Sequence, residues 1–215
     1  MRIGIFDSGI GGKAIATELM SKFPSDEIIS VNDKEHLPYG NREPNEIISL
    51  TEKAIQPLLN SKCNVIVIAC NTATTVAIST LRSDFPNTPF IGVEPMIKPA
   101  TDLTKTKCIA VCATPATLQS NSYKQLKNTW ASGIKIIEPD CHDWAELIEK
   151  NQSNKIKIDY LIKSLLRANV DVIVLGCTHY HWIKQRIIDE AGPSVIVIEP
   201  TESIAKRVKK VLSDI

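Results

Sequence analysis

Two cysteines stand at matching places in this chain. Residues 64–70 read Asn-Val-Ile-Val-Ile-Ala-Cys, and Cys70 is followed by Asn71 and Thr72. Residues 171–177 read Asp-Val-Ile-Val-Leu-Gly-Cys, and Cys177 is followed by Thr178 and His179, each 107 places after its counterpart. One free cysteine is commonly just a small buried hydrophobe. A matched pair, one per half of the chain, points instead to a shared task. Two thiols on opposite sides of one bound molecule can invert a carbon centre: one removes a proton and the other returns a proton to the far face. Thiols suit that work when a helix N-terminus, nearby donors or a protonated neighbour favour the thiolate. His179 lies two residues beyond Cys177, and Asp7 falls at the neighbouring strand end of the first half. Each is placed to orient, or exchange protons with, its nearer thiol. Cys63, Cys108, Cys112 and Cys141 have no such matching and read as structural, while His36, His142 and His181 read as surface or supporting residues.

The elements that must carry these groups follow from the apolar pattern. The run 65–69 is short and uninterrupted, as in strands buried on both faces of a parallel sheet. Its polar carboxyl end is where open α/β sheets place ligands. Residues 3–6 form another such strand, closed by the turn Asp7-Ser8-Gly9-Ile10-Gly11-Gly12, and 14–23 has helical spacing up to Pro24. Strands are expected at 28–31 and 90–95, and helices at 44–59 and 74–85. The plan then repeats, with strands at 108–112, 134–138, 172–175 and 195–200, a helix at 158–168, and a loop or helix at 141–149. Three landmarks recur at offsets of 105 to 107. The chain therefore reads as α/β: two pseudo-symmetric, doubly wound parallel-sheet domains with the site in the cleft between them. The first domain is 1–95 plus 200–215, with the closing helix 204–215 packing back on it, and the second is 96–199.

Composition narrows the functional classes. At 215 residues, 43% hydrophobic and 23% charged, the chain can bury a substantial core. A formal net charge of +1, no basic run and 5% aromatics give no nucleic-acid surface. No apolar run approaches a membrane span of about 20 residues. Met1-Arg2 leads straight into a strand without a signal-peptide pattern, so the expected place is the cytoplasm, with reduced cysteines. No Cys-x2-Cys is present, and Cys108-x3-Cys112 lacks a second ligand pair, so no metal site is expected.

The strand-end turns supply hydroxyls, amides and helix N-termini at Asp7-Ser8, Asn71-Thr72, Thr114 with Thr117, and Thr178-His179. Such groups hold a small carboxylate without an arginine. A rival reading takes Gly9-x-Gly11-x-x-Ala14, with Asp33 about 20 residues on, as a dinucleotide-binding turn. Against it, the Asp7 carboxylate at the mouth of the turn would repel a pyrophosphate. A P-loop is excluded because Gly12-Lys13 is followed by Ala14.

These motifs carry a family resemblance over nearly the whole chain. Asp7-Ser8-Gly9-Ile10-Gly11-Gly12, Pro38-Tyr39-Gly40, Ala69-Cys70-Asn71-Thr72-Ala73, Gly92-Val93-Glu94-Pro95 and Gly176-Cys177-Thr178-His179-Tyr180 stand in the order and spacing of glutamate racemase. That enzyme belongs to the cofactor-independent aspartate/glutamate racemase superfamily. The resemblance implies a cytoplasmic isomerase that needs no cofactor and acts on a small amino acid, supplying D-glutamate for peptidoglycan. Cys70 and Cys177 would be its two bases. Asp7, Ser8, Tyr39, Gly40, Asn71, Thr72, Thr178 and His179 would bind or polarise the amino acid. Glu149 would assist near the second thiol, with Glu146 close enough to compete for that place. A homodimer stays open, as does a racemase of another small acid such as aspartate or a hydantoin. The Gly-Gly-Met-type turn usual in aspartate racemases is absent. Two departures stand out: His181 replaces the usual proline after Tyr180, and Asn32 replaces a usual glycine before Asp33. The chain also looks shorter than typical members, mostly after Cys141.

Overall fold

The structure is a computed structural model that describes residues 1–214. It begins with β1 (Arg2–Asp7), α1 (Lys13–Lys22), β2 (Glu27–Asn32), α2 (Pro44–Ala54), α3 (Gln56–Asn60), β3 (Val65–Ile68), α4 (Asn71–Asp84) and β4 (Phe90–Gly92). The second half comprises α5 (Ile97–Leu103), β5 (Cys108–Ala113), α6 (Pro115–Gln119), α7 (Asn121–Trp130), β6 (Lys135–Ile137), α8 (Trp144–Glu149), α9 (Ile158–Arg167), β7 (Val172–Gly176), α10 (Lys184–Ala191), β8 (Ile196–Ile198) and α11 (Thr201–Ser213). Strand order is β2-β1-β3-β4 in one sheet and β6-β5-β7-β8 in the other, so each strand of the first sheet has a counterpart in the second. Every pairing is parallel. The duplicated, doubly wound α/β plan is borne out.

The near-continuous apolar strands follow from burial on both faces. Ile66 and Ile68 pack beneath α2, α3 and α4, while Val65 and Val67 face α1 and α11. In the second sheet Ile173 and Leu175 face α8, α9 and α10, and Val172 and Val174 face α5 and α7. Each such side chain contributes about 1.5–3 kcal/mol when fully buried. The closing helix returns to the first sheet, where Ile204, Ala205 and Val208 meet Ile15, Leu19 and Val93. Residue 215, the end of the expected closing helix, lies outside the described residues.

Several expected boundaries move. The helix expected over 44–59 is two, α2 and α3, broken at Ile55. Pro57 has no N–H to give, and its ring clashes with the carbonyl one turn back. The helix expected from 74 starts at Asn71, directly after Cys70. The segment 141–149 resolves into a turn and α8. Helices α5, α6 and α7 are not marked in the sequence, and the helix after Cys177 starts only at Lys184. The first three are short or mostly polar, with few apolar residues to mark them. After β7 the chain takes a 3-10 turn, Thr178–Ile183, before α10, whereas β3 runs straight into an α-helix.

Topology fixes where the chemistry sits. In each sheet the winding reverses between the first strand and its third-strand neighbour, and the crevice outside their carboxyl ends is the binding position of such folds. Asp7 ends β1 and Cys70 follows β3 by one residue beyond Ala69; Thr114 follows β5 and Cys177 follows β7.

Candidate functional site

One cavity of about 280 Å³ opens between the two halves, and Cys70 and Cys177 both line it. Ser8, Tyr39, Gly40, Thr72, Thr114, Glu149 and His179 are also in the lining. Asp7, Asn71, Thr117 and Thr178 are buried just behind it. All thirteen residues singled out in the sequence are thus gathered at one place. Among the described residues, all six cysteines are free.

Cys70 is the N-cap of α4, and its Sγ accepts from the Ala73 amide at 3.5 Å. Ser8 Oγ lies 3.4 Å from the same sulfur. Burial pushes the Cys70 thiol up to about 12, and the neighbouring Asp7 charge adds to that. At rest Cys70 is therefore a thiol, the form that delivers a proton.

Cys177 has different company. Its Sγ lies 3.7 Å from His179 Nδ1, and His179 Nε2 lies 2.6 Å from Glu149 Oε1. Burial disfavours the imidazolium, yet contacts with Cys177 and Glu149 outweigh it and hold His179 well above its ordinary value. For Glu149, burial is opposed more strongly by His179, by the Ile10 amide at 2.7 Å and by the charge of Lys34, so its carboxyl falls below the usual range. The acid that reaches the thiol–imidazole pair is Glu149. Glu146 also lines the cavity but pairs with Lys150 and not with His179.

Asp7 reads in the sequence as placed to orient, or exchange protons with, Cys70. Its carboxylate accepts from the Gly9 amide at 2.8 Å and from Thr178 Oγ1, across the cleft, at 2.8 Å. Asp7 acts on Cys70 through its charge, and Ser8 makes the contact. Full burial raises the Asp7 carboxyl despite the His179 cation.

The remaining groups are neutral donors and acceptors. Thr72 Oγ1 lies 2.8 Å from Thr114 Oγ1 and 3.3 Å from Thr117 Oγ1, a hydroxyl cluster that joins the two halves. Both polar atoms of the Asn71 amide are buried without a hydrogen-bond partner. Such a pair in a native fold calls for a reason. Tyr39 OH donates to Asp33 Oδ2 at 2.7 Å, and His36 Nδ1 holds the other oxygen. Asp33 thus anchors the loop bearing Tyr39 and Gly40, with each of its oxygens already held by a neighbour. The Gly-rich turn is equally committed: its Gly9 and Ile10 amides are taken by Asp7 and Glu149. Both arrangements count against the dinucleotide reading.

Sequence reasoning missed Leu37, Ala145 and Lys150 in the lining. For the last two a signal existed: positions 145, 146, 149 and 150 share one helical face. Among the described residues no helix is long and apolar enough to cross a membrane, and no three His, Cys, Asp or Glu side chains converge as metal ligands.

Fold and site together define a two-domain α/β protein whose paired strand-end thiols face one interdomain cavity. The description "Asp/Glu/Hydantoin racemase" fits residues 14–208, and the chain belongs to that family. It is 36% identical over 215 residues to the glutamate racemase of Herpetosiphon aurantiacus, covering 98% of this chain and 84% of that one. Among solved structures it is similar to Escherichia coli glutamate racemase in complex with L-glutamate and activator UDP-MurNAc-ala, with TM-score 0.85, 28% identity, and coverage of 99% of this chain and 82% of that one. A glutamate racemase from Francisella tularensis in complex with D-glutamate aligns with TM-score 0.82 and 30% identity, covering 99% of this chain and 81% of that one.

Proposed function

We propose that this chain interconverts L- and D-glutamate by proton transfer at Cα between Cys70 and Cys177. The observation that carries the mechanism is that both thiols line one small cavity from opposite halves of the molecule. One sulfur, as thiolate, takes the Cα proton. The electron pair left on Cα is delocalised toward the α-carboxylate, and the opposite thiol then gives its proton to the other face. Each turnover leaves the two sulfurs with exchanged protonation states. The scheme uses only side chains of this chain.

In this reading His179, held by Glu149, exchanges a proton with Cys177. Asp7 and Thr178 brace the two strand ends against each other. Ser8, Asn71, Thr72 and Thr178 bind the amino-acid head group, with the unpartnered Asn71 amide supplying both a donor and an acceptor. Tyr39, Gly40, Thr114 and Thr117 close around the rest of the substrate. The domains are 1–95 plus 200–215 and 96–199. The product D-glutamate serves peptidoglycan synthesis in the cytoplasm.

Incubation of either enantiomer in D2O, followed by circular dichroism and proton NMR, tests the proposal. Loss of optical activity should accompany loss of the Cα–H signal. Cys70→Ala and Cys177→Ala should each abolish racemisation, because loss of an essential acid–base group lowers the rate by about a hundredfold to ten-thousandfold. A well-folded Cys177→Ala variant that racemises normally would overturn the two-base scheme.

A further inference from the structure

The cavity holds a charge that the proton-transfer chemistry does not use. Four of its lining residues are ionisable carboxylates or cations: Glu146, Glu149, His179 and Lys150. Glu149 and His179 are paired with each other in the interior. Lys150 and Glu146 form a separate ion pair one turn apart at the end of α8, with side chains 57% and 44% exposed. Lys150 is the only lysine or arginine among the residues lining that cavity. The other groups facing inward, Ser8, Tyr39, Thr72 and Thr114, are neutral.

An exposed i,i+4 pair is weak and screened by salt. Its ammonium is flexible and can exchange one carboxylate for another. A dicarboxylic amino acid brings such a carboxylate on its distal end, while its α-carbon must lie between the two thiols.

We propose that Lys150 is a specificity residue, drawing in and retaining the distal carboxylate of a dicarboxylic substrate by exchanging it for Glu146. The inference rests on the glutamate reading of the site. Glu146 is an internal competitor: it keeps the ammonium at the cavity mouth and gives it up when substrate arrives.

The test uses the full chain, with kcat and KM measured for both glutamate enantiomers across a series of NaCl concentrations. Lys150→Met should raise KM about 1.5- to fivefold, the effect of one partly exposed charge contact. It should also flatten the salt dependence of kcat/KM. Lys150→Arg should restore most of the loss, and Glu146→Gln should lower KM by freeing the ammonium. Unchanged KM and salt dependence in Lys150→Met would overturn the proposal. So would equal impairment in Lys150→Met and Lys150→Arg, which would mark shape as the cause. Calorimetric titration with glutarate, a dicarboxylate without an amino group, separates this inference from the reading beneath it. If the wild type fails to exchange the Cα proton of glutamate, the racemase reading falls, whereas weaker glutarate binding by Lys150→Met still supports the role of Lys150. Equal glutarate binding by the two proteins refutes it.

Discussion

At the scale of single residues, Asp7 shows a site working against stability. Its carboxyl is wholly enclosed, and burial raises it above the ordinary carboxylate value even with Gly9 and Thr178 donating to it. A raised carboxyl means that the folded state holds its proton more tightly than the unfolded chain does. The favourable contribution is then fully present below the unfolded value of about 3.9, and it is lost as pH rises through the higher folded value. Above that folded value the fold carries an ionised group that burial disfavours. Asp7→Asn removes that charge and retains an oxygen for the Gly9 amide. The variant should be more stable than the parent at pH 7 by on the order of 1 kcal/mol, an increase in Tm of about 2–4 °C. The difference should shrink as the pH is lowered toward 4, because the folded parent takes up its proton more readily than the unfolded chain does. Racemisation should fall, since the variant loses the charge that supports the His179 cation. Melting curves at the two pH values check this, and a lower Tm at pH 7 would show that the His179 attraction outweighs burial.

At the scale of elements, the Gly-rich turn after β1 was legible as a turn but not for its purpose. The sequence shows where glycines are; only the fold shows what approaches them. A Cβ on Gly9 would lie 2.0 Å from Glu149 Oε1 and 2.8 Å from His179 Nε2. Gly9 is required for this approach from the other half of the molecule and not for an unusual φ. Gly9→Ala should push the Glu149 carboxylate off both His179 and the Ile10 amide. The end of a glutamate can move aside, so the Tm change should be small. The misplaced imidazole should lower kcat by up to about a hundredfold. Adding Glu149→Asp, which shortens the acid, should recover part of that loss, and failure to do so would locate the damage in the turn backbone. Other elements divide the same way. Strands β3 and β7 announce themselves because their residues are apolar on both faces. Helix α4 was read three residues too late because Asn71 and Thr72, polar as a loop would be, occupy its first turn with Cys70 as cap. The residues of short α8 fit a loop as well as a helix, although the segment carries Glu149. The contacts between halves were legible only as repeated strand ends, because which groups meet across a cleft depends on domain docking and not on local sequence.

At the scale of the whole molecule, the duplication sets two thiols on one cavity without giving them equal surroundings. Cys70 is capped by an amide and touched by Ser8, whereas Cys177 faces His179 and Glu149. The 3-10 turn after β7, in place of the immediate α-helix after β3, is what brings His179 beside its thiol. Unequal bases should give unequal directions, but thermodynamics limits where the inequality can appear. The two enantiomers have the same free energy, so the equilibrium constant is one. For any variant, kcat/KM must therefore be equal in both directions. Asymmetry can show only as parallel changes of kcat and KM in one direction relative to the other. In His179→Asn, Cys177 loses the group that exchanges its proton, while Cys70 keeps its own neighbours. The direction in which Cys177 is the base should lose kcat and show a lower KM in step. In the opposite direction kcat should fall less for a given loss of kcat/KM. Ser8→Ala, which removes a contact to Cys70 and none to Cys177, should produce the reverse pattern. Progress curves from each pure enantiomer, followed by circular dichroism, give both pairs of constants. Equal kcat losses in the two directions for both variants would mean that the thiols work as one coupled unit, with His179 and Ser8 serving the site as a whole.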